Sequence, residues 1–137
     1  MNRSFGGARR ILIVDDDASI RILLVTLLRR YGFELLQARN GREALDEMRA
    51  GHADLVIMDL TMPEVSGWEV LRVRETDPAL LHIPLIVVTA VNRNQATKDV
   101  AGKSVSAVLG KPFDLDTLLT AVTTTLDPAG VPEPLAA

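Results

Sequence analysis

Read for its apolar and polar positions, the chain carries an early apolar, β-branched run at 11–14 that stops at Asp15-Asp16-Asp17. Four apolar residues without alternation predict a strand buried on both faces, as in parallel sheets. Ile20, Leu23, Leu24, Leu27 and Leu28 then recur at i, i+3, i+4, i+7 and i+8, the inward stripe of a helix. Asp17 is placed to cap that helix and Gly32 to end it. Residues 33–38 predict a second strand, Asn40-Gly41 a turn, and 42–49 a helix turning Ala44, Leu45 and Met48 inward. A third strand at 53–58 ends at Asp59, and a loop with Pro63 and Gly67 leads into a helix carrying Val70, Leu71 and Arg74. Pro84 introduces the plainest buried strand, 85–88, which ends at Thr89-Ala90. Residues 92–103 are polar with a weak helical stripe and predict a short or mobile helix. A fifth strand at 106–109 precedes Gly110-Lys111-Pro112, and Asp114 caps a last helix with Leu115, Leu118, Leu119, Val122 and Leu126 inward.

Five strands alternating with five helices predict βαβ crossovers and an α/β, doubly wound parallel sheet with helices on both faces. The flavodoxin-like order 2-1-3-4-5 makes the first and third strands neighbours. A ligand then belongs in the crevice at their carboxyl ends.

The polar residues that follow the strands sharpen this picture. Asp15 and Asp16 follow the first strand, Asp59 the third, Thr89 the fourth and Lys111 the fifth. The topology gathers them on one edge, where three carboxylates repel one another unless a cation and a lysine compensate. Oxygen donors without histidine or thiolate select a hard ion, Mg²⁺ before Mn²⁺. With that charge balanced, Asp59 can serve as a nucleophile toward a phosphoryl group, since carboxylates form acyl phosphates. Phosphoryl transfer needs chiefly positioning and neutral charge on the equatorial oxygens, and the Lys111 ammonium and Thr89 hydroxyl suit two of those places.

Over about residues 10–126 the sequence resembles the response-regulator receiver family of two-component signalling, in its single-domain, chemotaxis-type form. The matching pieces are 11–17, the stretch from Asp54 to Pro63 around Asp59, Gly67, Val87-Val88-Thr89-Ala90, and Lys111-Pro112-Phe113. The resemblance implies that Asp59 is phosphorylated and that Asp16, Asp59 and the Thr61 backbone carbonyl bind Mg²⁺ directly, with Asp15 acting through a water. It also implies that Lys111 contacts the phosphoryl group, that Thr89 reports its arrival, and that the Lys111–Pro112 bond is cis. Val108 stands where the family usually has an aromatic residue, and Ser66 where an acidic or amide residue is common. Thr61 and Val91 fill positions that tune phosphoryl lifetime in the family, and neither is charged.

The implied function is a stand-alone phospho-acceptor and not a classical enzyme. It would be loaded by a histidine kinase or histidine phosphotransfer protein and would signal to a downstream protein through the fourth helix, fifth strand and fifth helix. Two other readings are weighed against it. One is a receiver-like scaffold that is never phosphorylated. The other is a hydrolase, because Asp15-x-Asp17-x-Ser19 is similar to the nucleophile motif of haloacid-dehalogenase-like phosphatases.

Composition sets outer limits. The 137 residues suffice for one domain at 10–126, with flexible ends expected at 1–9 and 127–137, the latter rich in proline. A net charge of −3 argues against a nucleic-acid partner. The absence of cysteine excludes disulfides, thiolate metal sites and thiol nucleophiles. No run is long enough for a signal peptide or a membrane span, so the expectation is a cytoplasmic protein. His52, His82, Arg29, Arg30, Arg72 and Arg74 are expected at the surface, and Tyr31 and Trp68 partly buried.

Overall fold

A computed structural model of the chain describes residues 9–62, 65–90, 93–100 and 103–127. Pro63, Val91 and nearly all of the two expected flexible ends lie outside the described residues. The chain alternates β1 (Arg10–Val14), α1 (Ala18–Arg29), β2 (Glu34–Ala38), α2 (Gly41–Arg49), β3 (Leu55–Asp59), α3 (Gly67–Thr76), α4 (Pro78–Leu81), β4 (Leu85–Thr89), α5 (Arg93–Asp99), β5 (Ala107–Gly110) and α6 (Leu115–Leu126). All four strand pairings are parallel, in the expected order β2-β1-β3-β4-β5.

The β1, β3 and β4 runs are apolar at successive positions because both sheet faces are covered. Successive side chains on a strand point to opposite faces. Ile11, Ile13, Leu55, Ile57, Ile86 and Val88 therefore pack with Leu24 and Leu28 of α1 and Leu118 and Val122 of α6. Leu12, Val14, Val56, Met58, Leu85 and Val87 pack on the other face with Leu45 and Met48 of α2, Val70 and Leu71 of α3 and Leu80 of α4. Asp17, Asn40, Ser66 and Asp114 cap α1, α2, α3 and α6, each accepting from a backbone N–H of the first turn.

The structure corrects the sequence reading in four places. A one-turn helix, α4, is added between α3 and β4, with Asp77 as its cap and Pro78 in its first turn. The α1 stripe is rotated: Leu24, Val25 and Leu28 are buried, whereas Leu23 is 53% exposed. On α6, Thr123 joins the buried face, its hydroxyl donating to the Leu119 carbonyl at 2.7 Å. Arg74, expected in solvent, is only 2% exposed. Its guanidinium donates to the carbonyls of Ile83 (2.8 and 3.1 Å) and Leu81 (3.2 Å), closing the end of α4 and the approach to β4. Burial pulls the Arg74 pKa down, and neighbouring Glu75 partly offsets this. Arg29, Arg30, Arg72, His52 and His82 are exposed as expected, Tyr31 is half-buried, and Trp68 is at the surface at 36%.

Candidate functional site

Strand parity selects what meets at the carboxyl edge. Asp15 continues the set of Ile11 and Ile13, Asp59 that of Leu55 and Ile57, and Lys111 that of Ala107 and Leu109, all on the α1/α6 side. Because β1 and β3 are neighbours, Asp15 and Asp59 end adjacent strands. Carboxylate oxygens of Asp15, Asp16 and Asp59 all lie within 4.8 Å of one another, an all-oxygen set suited to a small hard cation.

Lys111 closes the group. Its Nζ donates to Asp15 Oδ2 at 2.9 Å and to Asp59 Oδ2 at 3.1 Å. Burial pulls the ammonium's pKa down, but the two carboxylate hydrogen bonds outweigh it and hold the lysine above its ordinary value. The Lys111–Pro112 peptide is cis, and the Lys111 N–H donates to the Thr89 carbonyl at 2.7 Å, tying the lysine to the end of β4.

Asp15 and Asp59, 4% and 8% exposed, are also held through their second oxygens. Asp15 Oδ1 accepts the Asp17 N–H at 2.9 Å, and Asp59 Oδ1 accepts the Thr61 N–H at 3.0 Å. Asp16 is exposed, and among the described residues its side chain makes no hydrogen bond. Thr61 thus lies against Asp59 through its amide. Thr89 is fully buried at the end of β4 and has the strand parity of Leu85 and Val87.

Gly67 explains how the start of α3 can lie against the end of β3. Its N–H donates to the Leu60 carbonyl at 3.0 Å, and a Cβ there would sit 2.5 Å from the Asp59 carbonyl oxygen. Only glycine permits that approach without moving the backbone. Val108, in the place of the family's aromatic, is 9% exposed and belongs to the core on the α2/α3 side.

Two supporting residues have no signature of their own in the sequence. Arg21 of α1 donates to the Asp15 carbonyl at 2.6 Å and to Gln37 Oε1 of β2 at 3.2 Å. Glu75 of α3 accepts the Ser104 N–H at 3.0 Å, linking α3 to the segment before β5. Both reach backbone atoms, which any residue type offers, so only the charged partner is visible in the sequence. Asp17, the second aspartate of the phosphatase-like Asp15-x-Asp17-x-Ser19 stretch, is engaged as the α1 cap, accepting from Ser19 N–H at 2.8 Å.

The family model described as "Response regulator receiver domain" matches residues 11–123. The chain is 39% identical over 115 residues to the CAI-1 autoinducer sensor kinase/phosphatase CqsS of Vibrio cholerae, covering 83% of this chain but 17% of that protein. It is 36% identical over 107 residues to the polar-differentiation response regulator DivK of Brucella ovis, covering 78% of this chain and 87% of that one. Among solved structures, the chemotaxis response regulator CheY4 of Vibrio cholerae superposes with a TM-score of 0.79 at 28% identity, over 87% of this chain and 99% of CheY4. A sensor protein from Polaromonas sp. JS666 superposes with a TM-score of 0.81 at 26% identity, over 89% and 98%.

Proposed function

The chain belongs to the response regulator receiver family, and from that premise we propose that it accepts a phosphoryl group on Asp59 from the phosphohistidine of a histidine kinase or phosphotransfer protein. Receiver domains of this family are signalling domains and not classical enzymes. One observation carries the assignment: Asp59 lies within 4.8 Å of two further carboxylates while Lys111 bridges it to Asp15. A purely structural carboxylate gains nothing from two like-charged neighbours at the open end of a sheet.

In the proposed transfer, an Asp59 oxygen attacks phosphorus, the donor's P–N bond breaks as the P–O bond forms, and the departing imidazole takes a proton from solvent. Asp15, Asp16, Asp59 and the Thr61 carbonyl would hold Mg²⁺, or Mn²⁺ in its place. When bound, the ion supplies positive charge to the phosphoryl oxygens and relieves the carboxylate repulsion. Lys111 already stands beside Asp59 and carries charge to the same oxygens. Its raised pKa keeps it an ammonium throughout the neutral range.

Output is proposed through α5, β5 and α6. Thr89 is fully buried at the end of β4, and its hydroxyl is proposed to report the new phosphoryl group by a shift of that strand end. Lys111 is bonded to the Thr89 carbonyl, so that shift is felt in β5. The new charge thereby biases a two-state arrangement of a protein-docking face.

The test is phosphoryl uptake from acetyl phosphate by intact mass, with and without Mg²⁺, for wild type and Asp59→Ala. Expected is a gain of one phosphoryl group that needs Mg²⁺ and vanishes in Asp59→Ala. Uptake that persists in Asp59→Ala refutes the acceptor assignment. A folded wild type that binds neither Mg²⁺ nor a beryllofluoride mimic turns the reading to an unphosphorylated scaffold.

A further inference from the structure

We infer that Arg21 is a positioning residue for the cation site, holding the peptide between Asp15 and Asp16 so that the Asp16 carboxylate stands beside those of Asp15 and Asp59. The inference rests on the metal-site reading above and adds a residue that is neither a ligand nor a contact of the phosphoryl group.

Asp16 is the starting point. Its carboxylate belongs to the 4.8 Å cluster, yet it is exposed and makes no side-chain hydrogen bond among the described residues. Where it points is therefore set by its backbone. The peptide plane joining Asp15 to Asp16 is rigid, and its oxygen is the Asp15 carbonyl. A strong donor on that oxygen fixes the rotation of the plane, and with it the direction from which the Asp16 side chain departs.

Arg21 provides that donor. Its Nη1 lies 2.6 Å from the Asp15 carbonyl oxygen, a short, charge-assisted hydrogen bond. Its Nε donates to Gln37 Oε1 on β2 at 3.2 Å, so the guanidinium is held from both sides. The Arg21 N–H meanwhile donates to the Asp17 carbonyl at 3.1 Å in the first turn of α1. The planar guanidinium presents its donors to two acceptors in fixed directions, whereas a lysine offers a single rotatable ammonium. The other polar groups of Asp15 are already committed: its N–H to Ala38, Oδ1 to Asp17 and Oδ2 to Lys111. The carbonyl completes the set.

A simple counter-ion role makes the opposite prediction. A guanidinium beside a cation site repels the cation, so removing it should tighten Mg²⁺ binding, whereas losing a positioning contact should loosen it. The sign of the change decides between them.

The experiment titrates Mg²⁺ against the thermal unfolding midpoint of the full chain at constant ionic strength, for wild type, Arg21→Met, Arg21→Lys and Gln37→Leu. Losing outer contacts of metal ligands typically weakens affinity roughly ten- to a hundred-fold, and that range is expected for Arg21→Met. Arg21→Lys keeps the charge but lacks the planar fork that fixes the two donor directions, so an intermediate loss is expected. Gln37→Leu leaves Arg21 in place with one anchor gone and should weaken binding by a few-fold. If Arg21→Met does not fold, the other two variants carry the test alone. Unchanged or tighter Mg²⁺ binding in the folded variants overturns the inference while leaving the metal site standing. A wild type with no Mg²⁺ response overturns both.

Discussion

Asp16→Asn isolates the electrostatics of the site, because it removes a charge while leaving every hydrogen bond of Asp15, Asp59 and Lys111 intact. Three carboxylates lie within 4.8 Å of one another, and one ammonium, 2.9 and 3.1 Å from Asp15 and Asp59, offsets part of their charge. A pair of like unit charges at that separation costs ~3.5 kcal/mol at an effective permittivity near 20 and ~0.9 kcal/mol in bulk water. Asp16 is exposed, so its share lies toward the lower figure. In chelator, Asp16→Asn should therefore be more stable than wild type by about 1 kcal/mol, a rise of roughly 3–5 °C in Tm for a chain of this size.

Mg²⁺ reverses the order. At ten times its dissociation constant, a ligand bound only by the folded state adds about 1.4 kcal/mol. Wild type should gain that increment, and Asp16→Asn should lose most of it together with the ligand. Urea unfolding of both proteins, in EDTA and across a Mg²⁺ series at fixed ionic strength, reads both effects. Two results would refute the reasoning: Asp16→Asn less stable than wild type in EDTA, or an undiminished response to Mg²⁺. The first would show that the carboxylates do not repel, and the second that Asp16 is not part of the cation site.

Three further outcomes are expected. Arg74→Met leaves the buried Ile83 carbonyl and the Leu81 carbonyl without their donor and should cost roughly 2–4 kcal/mol in urea unfolding, with Mg²⁺ affinity unchanged. Lys111 has a raised folded-state pKa, so its ion pairs contribute fully below the ordinary lysine value near 10.4 and fade as pH climbs above it. Wild type should accordingly lose stability above that pH by an amount that Lys111→Met does not show. Asp17→Ala removes the α1 cap and should cost about 1 kcal/mol while sparing phosphoryl uptake, whereas a phosphatase with Asp17 in its nucleophile motif would be silenced.

The parts legible in the sequence are those whose physics is local or periodic. A parallel sheet buries both faces, so 11–14 and 85–88 announce themselves as uninterrupted apolar runs. The placement of the candidate residues at one sheet edge was legible because each strand ends where its apolar run stops, and the stopping residues are Asp15, Asp59, Thr89 and Lys111. Arg74 was misread because helical periodicity treats an arginine as a solvated position. Its partners are two backbone carbonyls seven and nine residues on, whose availability depends on the turn made by α4. That helix is a single turn, too short to show a period. Leu23 was misplaced for a different reason: α1 carries adjacent leucines, and the choice of buried stripe is made by the sheet against which it packs. Arg21 was missed because its principal acceptor is a carbonyl oxygen.

The distribution of hydrogen bonds within the site implies a division of labour. Both oxygens of Asp15 and both of Asp59 accept a bond from Asp17, Thr61 or Lys111, so these two carboxylates are fixed before any ligand arrives. Asp16 alone among the three keeps its oxygens uncommitted among the described residues. A hard cation gives up water reluctantly and gains most from a carboxylate that need not break a bond to receive it. Asp16 substitutions should therefore act mainly on cation affinity, and Asp59 substitutions on the transfer itself. Lys111 stands between the two, since its ammonium now neutralises the oxygens that a cation and a phosphoryl group would share. Replacing it should ease cation entry and still slow transfer, a pairing of effects that a merely structural lysine would not produce.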